Sequence, residues 1–208
     1  EKGRKQIGIY TVTVTFRRNY TGEKTLRLQI VPRKPTGLDA AQSTTAMTLS
    51  WQKVSGATGY AVYEKIGKKS QKLGTTTDLY YKIKDRAAGH KYTFYVVALA
   101  KSGKTTLRSD PSSDKLTATK PLPVSLSVSR SGQTAVLRWN NAGDCDYEIY
   151  YAPKKNGRQV CIGTTDKTTF TTGAYPRGSR ACFKVKACVR SDTGLLSSQS
   201  SDIRQLWL

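Results

Sequence analysis

The chain has 208 residues, with 35 Lys and Arg against 14 Asp and Glu, a formal net charge of +21; that length suits one or two domains with usable cores. No run of about 18 apolar residues occurs, so no segment is suited to cross a bilayer as a helix, and no basic-then-apolar leader opens the chain, so any signal peptide is expected outside this stretch. The charge is spread, with +7 over residues 1–34, +8 over 35–120 and +6 over 121–208. Such a spread suits general attraction to polyanions, or simple solubility of exposed strand faces, better than one dedicated groove.

In chain order, residues 7–32, IGIYTVTVTFRRNYTGEKTLRLQIVP, read as two strands joined by a turn and stopped by Pro32. Period-two alternation puts Tyr10, Val12, Val14 and Phe16 on one face with Leu26, Leu28 and Ile30. Ile9, Thr11, Thr13 and Thr15 fall on the other. A lone hairpin is marginal in water. Its apolar stripe is therefore expected to fold onto the next unit or to join a second copy, as a dimer through the hairpin. The segment reads as the closing end of a sandwich whose earlier strands are not in this sequence.

After the hairpin the chain repeats itself. KPTGLDAAQSTTAMTLSWQKVSGATGYAVYEK (34–65) aligns with LPVSLSVSRSGQTAVLRWNNAGDCDYEIYYA (122–152). Leu38, Leu49 and Trp51 match Leu126, Leu137 and Trp139, each 88 residues on; Tyr60 and Val62 match Tyr147 and Ile149 at 87; and YTFYVVA (92–98) matches ACFKVKA (181–187) at 89. Both units show short alternating strands separated by Gly, Ser, Thr and Asp turns, with no helical stripe, which predicts an all-β architecture of two tandem antiparallel sandwiches. The predicted core is Leu49, Trp51, Tyr60, Val62, Phe94, Val96 and Ala98, repeated as Leu137, Trp139, Tyr147, Ile149, Phe183, Val185 and Ala187. The domain reading is 1–33 for the hairpin, 34–120 for the first unit and 121–208 for the second.

No catalytic set can be assembled. His90 is the sole histidine and sits in a turn, which suits a solvated residue better than a base or a ligand. Phosphate-loop signatures are absent. Asp144, Asp146 and Glu148 alternate along one strand face, but the glycine and twelve-residue spacing of a calcium loop are missing. No metal or cofactor is expected, and the chain is not read as an enzyme. The four cysteines, Cys145, Cys161, Cys182 and Cys188, match no zinc spacing. Cys182 and Cys188 lie too far apart on one strand to pair. Cys145 starts the strand expected beside theirs, so Cys145–Cys188 is the one candidate disulfide, against four reduced thiols. On the first unit Tyr63, Tyr95, Val97 and Leu99 share an outward face and form a candidate interaction patch. The other reading has them as strand formers partly covered by Lys and Arg stems. Nucleic acid is not expected as a partner, because no groove interleaves aromatics with cations and no recognition helix exists.

Both units resemble fibronectin type III domains, through P-x-x-L, then L-S-W or L-R-W, then G-Y-x-V or D-Y-x-I, with AAGHKYTFYVVA and SDPSSDKLTATKP as the later strands of the first. The resemblance implies a tyrosine corner, a role that fits Tyr92, with Arg86 in the usual leucine place. In the second unit that place holds Tyr175 and the tyrosine place holds Ala181, so the corner is expected to be rebuilt or absent. The hairpin resembles the closing strands of bacterial immunoglobulin-like repeats found in large exported proteins. A cytokine-receptor-like pair is disfavoured, since the cysteines fall in the second unit and no W-S-x-W-S box is present. Together these imply a non-catalytic, extracellular spacer or adhesion segment of a bacterial surface or secreted protein. Its expected partners are neighbouring domains of the same polypeptide, an anionic wall polymer, or an extracellular protein or glycan, with no membrane insertion. The alternative is the accessory stalk of a secreted glycan- or protein-degrading enzyme.

Overall fold

The computed structural model describes residues 6–19, 21–192 and 194–208; residues 1–5 of the segment read as the hairpin lie outside them. The chain divides into two compact units. All regular structure is β and no helix is long and apolar enough to cross a membrane, both among the described residues.

β1 (Gly8–Thr15) and β2 (Glu23–Ile30) form an antiparallel hairpin that brings the two predicted apolar stripes together, Tyr10 opposite Leu28 and Val12 opposite Leu26. Its base is seated on the sandwich that follows. The Ile9 N–H donates to Ser102 Oγ at 3.3 Å, Gly8 is buried, and Ile7 lies so close to Gly56 that any side chain there would strike it. Of the two expected fates of the apolar stripe, folding onto this unit does not occur: Val12, Val14, Phe16, Leu26 and Leu28 stay 39–47% exposed. The reason is geometric, because only the Gly8 end reaches the sandwich and the turn end projects beyond it.

The first sandwich is built from β3 (Asp39–Gln42), β4 (Met47–Ser50), β5 (Gly59–Ile66), β6 (Lys69–Thr76), β7 (Tyr80–Ile83), β8 (Lys91–Ser102), β9 (Thr105–Arg108) and β10 (Lys115–Ala118). One sheet runs β3-β4-β7. The other runs β10-β8-β5-β6, with β9 also on β8. The second sandwich repeats this with β11 (Leu126–Ser131), β12 (Thr134–Trp139), β13 (Asp146–Ala152), β14 (Val160–Thr165), β15 (Thr169–Thr171), β16 (Arg180–Ser191), β17 (Gly194–Ser197) and β18 (Arg204–Trp207). Its sheets are β11-β12-β15 and β14-β13-β16-β17, with β18 also on β16. Even the irregularity repeats: β5 slips register against β6 between Val62 and Tyr63, and β13 against β14 between Ile149 and Tyr150.

Every residue predicted for the two cores is buried. In each copy a tryptophan tilts against a tyrosine, Trp51 on Tyr60 and Trp139 on Tyr147, both with ring centres 5.3 Å apart. The tyrosine corner forms at Tyr92, whose hydroxyl accepts from the Ala87 N–H at 3.0 Å, and the Arg86 guanidinium covers the same ring at 5.2 Å. In the second copy Ala181 cannot make that bond. Tyr175 instead packs with Tyr151 and Phe183 at 5.0 and 6.1 Å, partly buried against the core.

Two serines per copy close the last strand, a device the sequence reading did not identify. Between β9 and β10 the backbone leaves the ladder, and Ser109 Oγ and Ser112 Oγ accept from the N–H groups of Ala98 and Val96 at 2.9 and 3.0 Å. Ser198 and Ser201 do the same for Ala187 and Val185 at 3.1 and 3.0 Å. Each hydroxyl replaces a strand carbonyl, so a buried donor is satisfied where the ladder is broken. Ser201→Ala is expected to orphan the Val185 N–H and lower stability by roughly 1–3 kcal/mol, read as a shifted urea midpoint for the second sandwich. Leu26→Thr on the exposed stripe should leave both sandwiches within about 0.5 kcal/mol of the parent in the same experiment.

Candidate functional site

The candidate patch sits on the outer face of the β10-β8-β5-β6 sheet. Antiparallel pairing places Tyr63 opposite Tyr95, Ala61 opposite Val97 and Gly59 opposite Leu99, and directly opposed side chains in such a pair lie within reach of one another. Tyr63 and Tyr95 stack almost parallel, 4.9 Å between centres at 4°. Each ring therefore gives one face to the other.

Cations border this stack. The Arg108 guanidinium donates to the Tyr63 hydroxyl; with its carbon 5.7 Å from the ring centre, that bond holds it at the hydroxyl edge rather than squarely over the face. Lys65 Nζ lies 5.9 Å from the Tyr95 centre and 2.5 Å from the Asp114 carboxylate. Lys72 is the cross-strand neighbour of Tyr63 on β6. Both readings of the patch thus meet in one place: Tyr63, Tyr95 and Leu99 are half-buried, with cationic side chains at their rims. Val97 is a correction, since it is only 4% exposed and presents no surface to a partner.

Beyond Leu99 the same face dips into a hollow of about 520 Å³. It is lined by Gly59 and Tyr60 of β5, Leu99 and Lys101 of β8, Thr106 of β9, and Thr58 and Thr75–Thr77. The threonine run TTT at 75–77 was visible in the sequence, but nothing there showed that Thr106 and Lys101 would close the opposite wall.

The equivalent face of the second sandwich is more polar. Glu148 faces Lys186 and Tyr150 faces Lys184 across β13 and β16. The Tyr150 hydroxyl donates to Glu148 at 2.7 Å, and Lys184 Nζ sits 5.6 Å from the Tyr150 ring centre. That hydrogen bond first, then burial and the carboxylate's charge, push the Tyr150 phenol up to about 12.

The candidate disulfide is a second correction. Cys145 and Cys188 are both free, as are Cys161 and Cys182. In the register Cys188 opposes Asp146 rather than Cys145, and its thiol donates to the Asp146 carbonyl at 3.5 Å while Cys145 turns to the Gly143 carbonyl at 3.6 Å. Burial, followed by the nearby Glu148 and Asp146 carboxylates, pushes the Cys188 thiol up to about 11. A thiol held protonated is a poor partner in exchange chemistry. Among the described residues no group of three His, Cys, Asp or Glu side chains is placed to hold a metal ion.

Residues 33–115 match the family model of the fibronectin type III domain. A segment of two fibronectin type III domains from chicken tenascin aligns over 84% of this chain and 98% of its own, at 18% identity and a TM-score of 0.51. At that identity the likeness is one of fold. The chicken interferon gamma receptor alpha chain aligns over 84% of this chain and 97% of its own, with 17% identity and a TM-score of 0.39, too low to carry an argument. Comparison with curated protein sequences gives no match.

Because the folded Tyr150 value lies above the ordinary value of 10.0, its contribution to stability is complete below about pH 10 and is lost as pH rises towards 12. Glu148→Ala is expected to return Tyr150 towards ordinary ionisation. Phenolate absorbance, taken as a difference against Tyr150→Phe in each background, measures the shift.

Proposed function

We propose that this chain is a non-catalytic, extracellular spacer and adhesion segment of a larger bacterial surface or secreted protein, presenting neighbouring domains and contacting anionic polymer. The match of residues 33–115 to the fibronectin type III domain supports a module of this kind, since such domains are commonly non-catalytic, typically extracellular spacers or binding units. The observation that carries the reading is the net charge of +21 distributed over a repeated sandwich. Charge of one sign on extended sheet faces draws polyanions from a distance and holds them by many weak contacts. The exposed part of the hairpin stripe, Val12, Val14, Phe16, Leu26 and Leu28 at 39–47%, is the surface through which a neighbouring domain or a second copy would join.

Attraction of this type is screened by salt, with a Debye length near 10 Å at about 0.1 M. Binding to purified anionic wall polymer is expected at low salt and should weaken steeply as salt is added, as read by co-sedimentation. Binding indifferent to salt, or none at low salt, would count against the reading.

A further inference from the structure

We infer that the outer face of the β10-β8-β5-β6 sheet is a docking surface for a linear acidic polysaccharide carrying carboxylates, with the hollow over Gly59 seating one sugar. This rests on the extracellular adhesion reading and gives it a place and a ligand class.

The first argument is charge complementarity. Lys65, Lys72, Lys101 and Arg108 all point outward on this sheet, as fixed by the pairs Tyr63 with Lys72, Leu99 with Arg108 and Lys101 with Thr106. All four are exposed. Asp114 answers Lys65 at 2.5 Å, which leaves the other three cations to set the sign of the face from β6 across to β9. Along β8, from the row of Lys65 and Thr93 to Lys101, the face runs roughly 27 Å at about 3.3–3.4 Å per residue. That is room for several sugar units in a row.

The second argument is the chemistry of the hollow. Its 520 Å³ are lined by Thr58, Thr75, Thr77, Thr106, Lys101 and Leu99, with the Thr58 hydroxyl donating to the Leu99 carbonyl at 3.4 Å. Hydroxyls both donate and accept, so they match the mixed donors and acceptors of a sugar ring. The Lys101 ammonium matches a carboxylate on the same ring, and the Arg108 fork suits the next carboxylate in a two-point geometry.

The alternatives fit less well. Single-stranded nucleic acid is held by bases lying on open aromatic faces, whereas Tyr63 and Tyr95 each give a face to the other. An acidic protein partner is anchored by apolar or aromatic side chains in a desolvated pocket. Here Val97 is covered, and the hollow is a wide, shallow one in which threonines and Lys101 stand beside Leu99.

The test compares two triple variants of equal net charge in the full chain. Lys72→Gln, Lys101→Gln and Arg108→Gln neutralise the face. Lys154→Gln, Lys155→Gln and Arg158→Gln remove the same charge from exposed positions on the second sandwich. Binding of polygalacturonate at low salt is measured by titration calorimetry, with polyphosphate and single-stranded DNA as rival anions. The face variant is expected to lose about tenfold in affinity, the summed effect of three exposed ion pairs, and the second-sandwich variant much less. Thr75→Val should weaken polygalacturonate and leave polyphosphate unchanged, because only the sugar uses the hydroxyl. Equal losses in the two triple variants would overturn the docking face while leaving attraction by net charge standing. Polyphosphate or DNA bound as tightly as polygalacturonate by the parent would overturn the sugar assignment. No binding of any anion by the parent would overturn this inference and the adhesion reading together. Unchanged thermal unfolding of each variant confirms that the losses belong to the surface.

Discussion

A tyrosine ring drawn into a core brings a hydroxyl that must find a partner, and that requirement organises both sandwiches. Tyr60 lies against Trp51, tying the start of β5 to the strand end that precedes it in the opposite sheet. Its hydroxyl accepts from the Val54 N–H in the intervening turn at 2.9 Å. Tyr147 repeats the arrangement with Trp139 and the Ala142 N–H, again at 2.9 Å. One side chain thereby fixes the separation of two sheets, the path of the loop between them and the starting register of β5 or β13. Losing the hydroxyl would strand a buried donor, which costs more than the hydrogen bond contributes on balance.

The outer face follows from that register. With Tyr60 inward, the pleat turns Ala61, Tyr63 and Lys65 outward, and pairing with β8 then sets Tyr63 against Tyr95 and Gly59 against Leu99. The shared slip after Val62 moves Lys72 rather than Leu73 beside Tyr63. The same geometry in the second sandwich delivers Tyr150, Glu148, Lys184 and Lys186 instead. Repeated topology therefore carries different surfaces: a hollow walled by threonines and Lys101 on one sandwich, and on the other a hollow of about 410 Å³ in which Asp146, Glu148 and Asp166 stand with Arg190.

Much of this was legible in the sequence. Duplicate spacing and period-two alternation identified the two sandwiches and their cores, because burial of alternate side chains is a local pattern that a sheet preserves. Ser109, Ser112, Ser198 and Ser201 escaped notice because serines in a polar stretch look like loop, and only the facing N–H groups of β8 and β16 give them a task. The patch was legible in part. Tyr63, Tyr95 and Leu99 were placed correctly by alternation, but Val97 was also assigned outward without showing that its surroundings would cover it. The hollow and Arg108 were invisible, since β6, β5, β8 and β9 contribute from four separate stretches. The cysteine pairing failed by one step of register, with Asp146 rather than Cys145 opposite Cys188.

By itself the sequence determined an all-β chain with a hairpin and two copies of one sandwich, the residues of each core, and a strong positive charge, because all of these depend on local alternation, turn residues and composition. Tertiary structure decided which outward residues remain at the surface, where cations gather beside Tyr63 and Tyr95, that the thiols stay unpaired, and that the hairpin stripe remains uncovered. Each of these depends on which strands become neighbours and in what register, and that is settled only when distant segments pack.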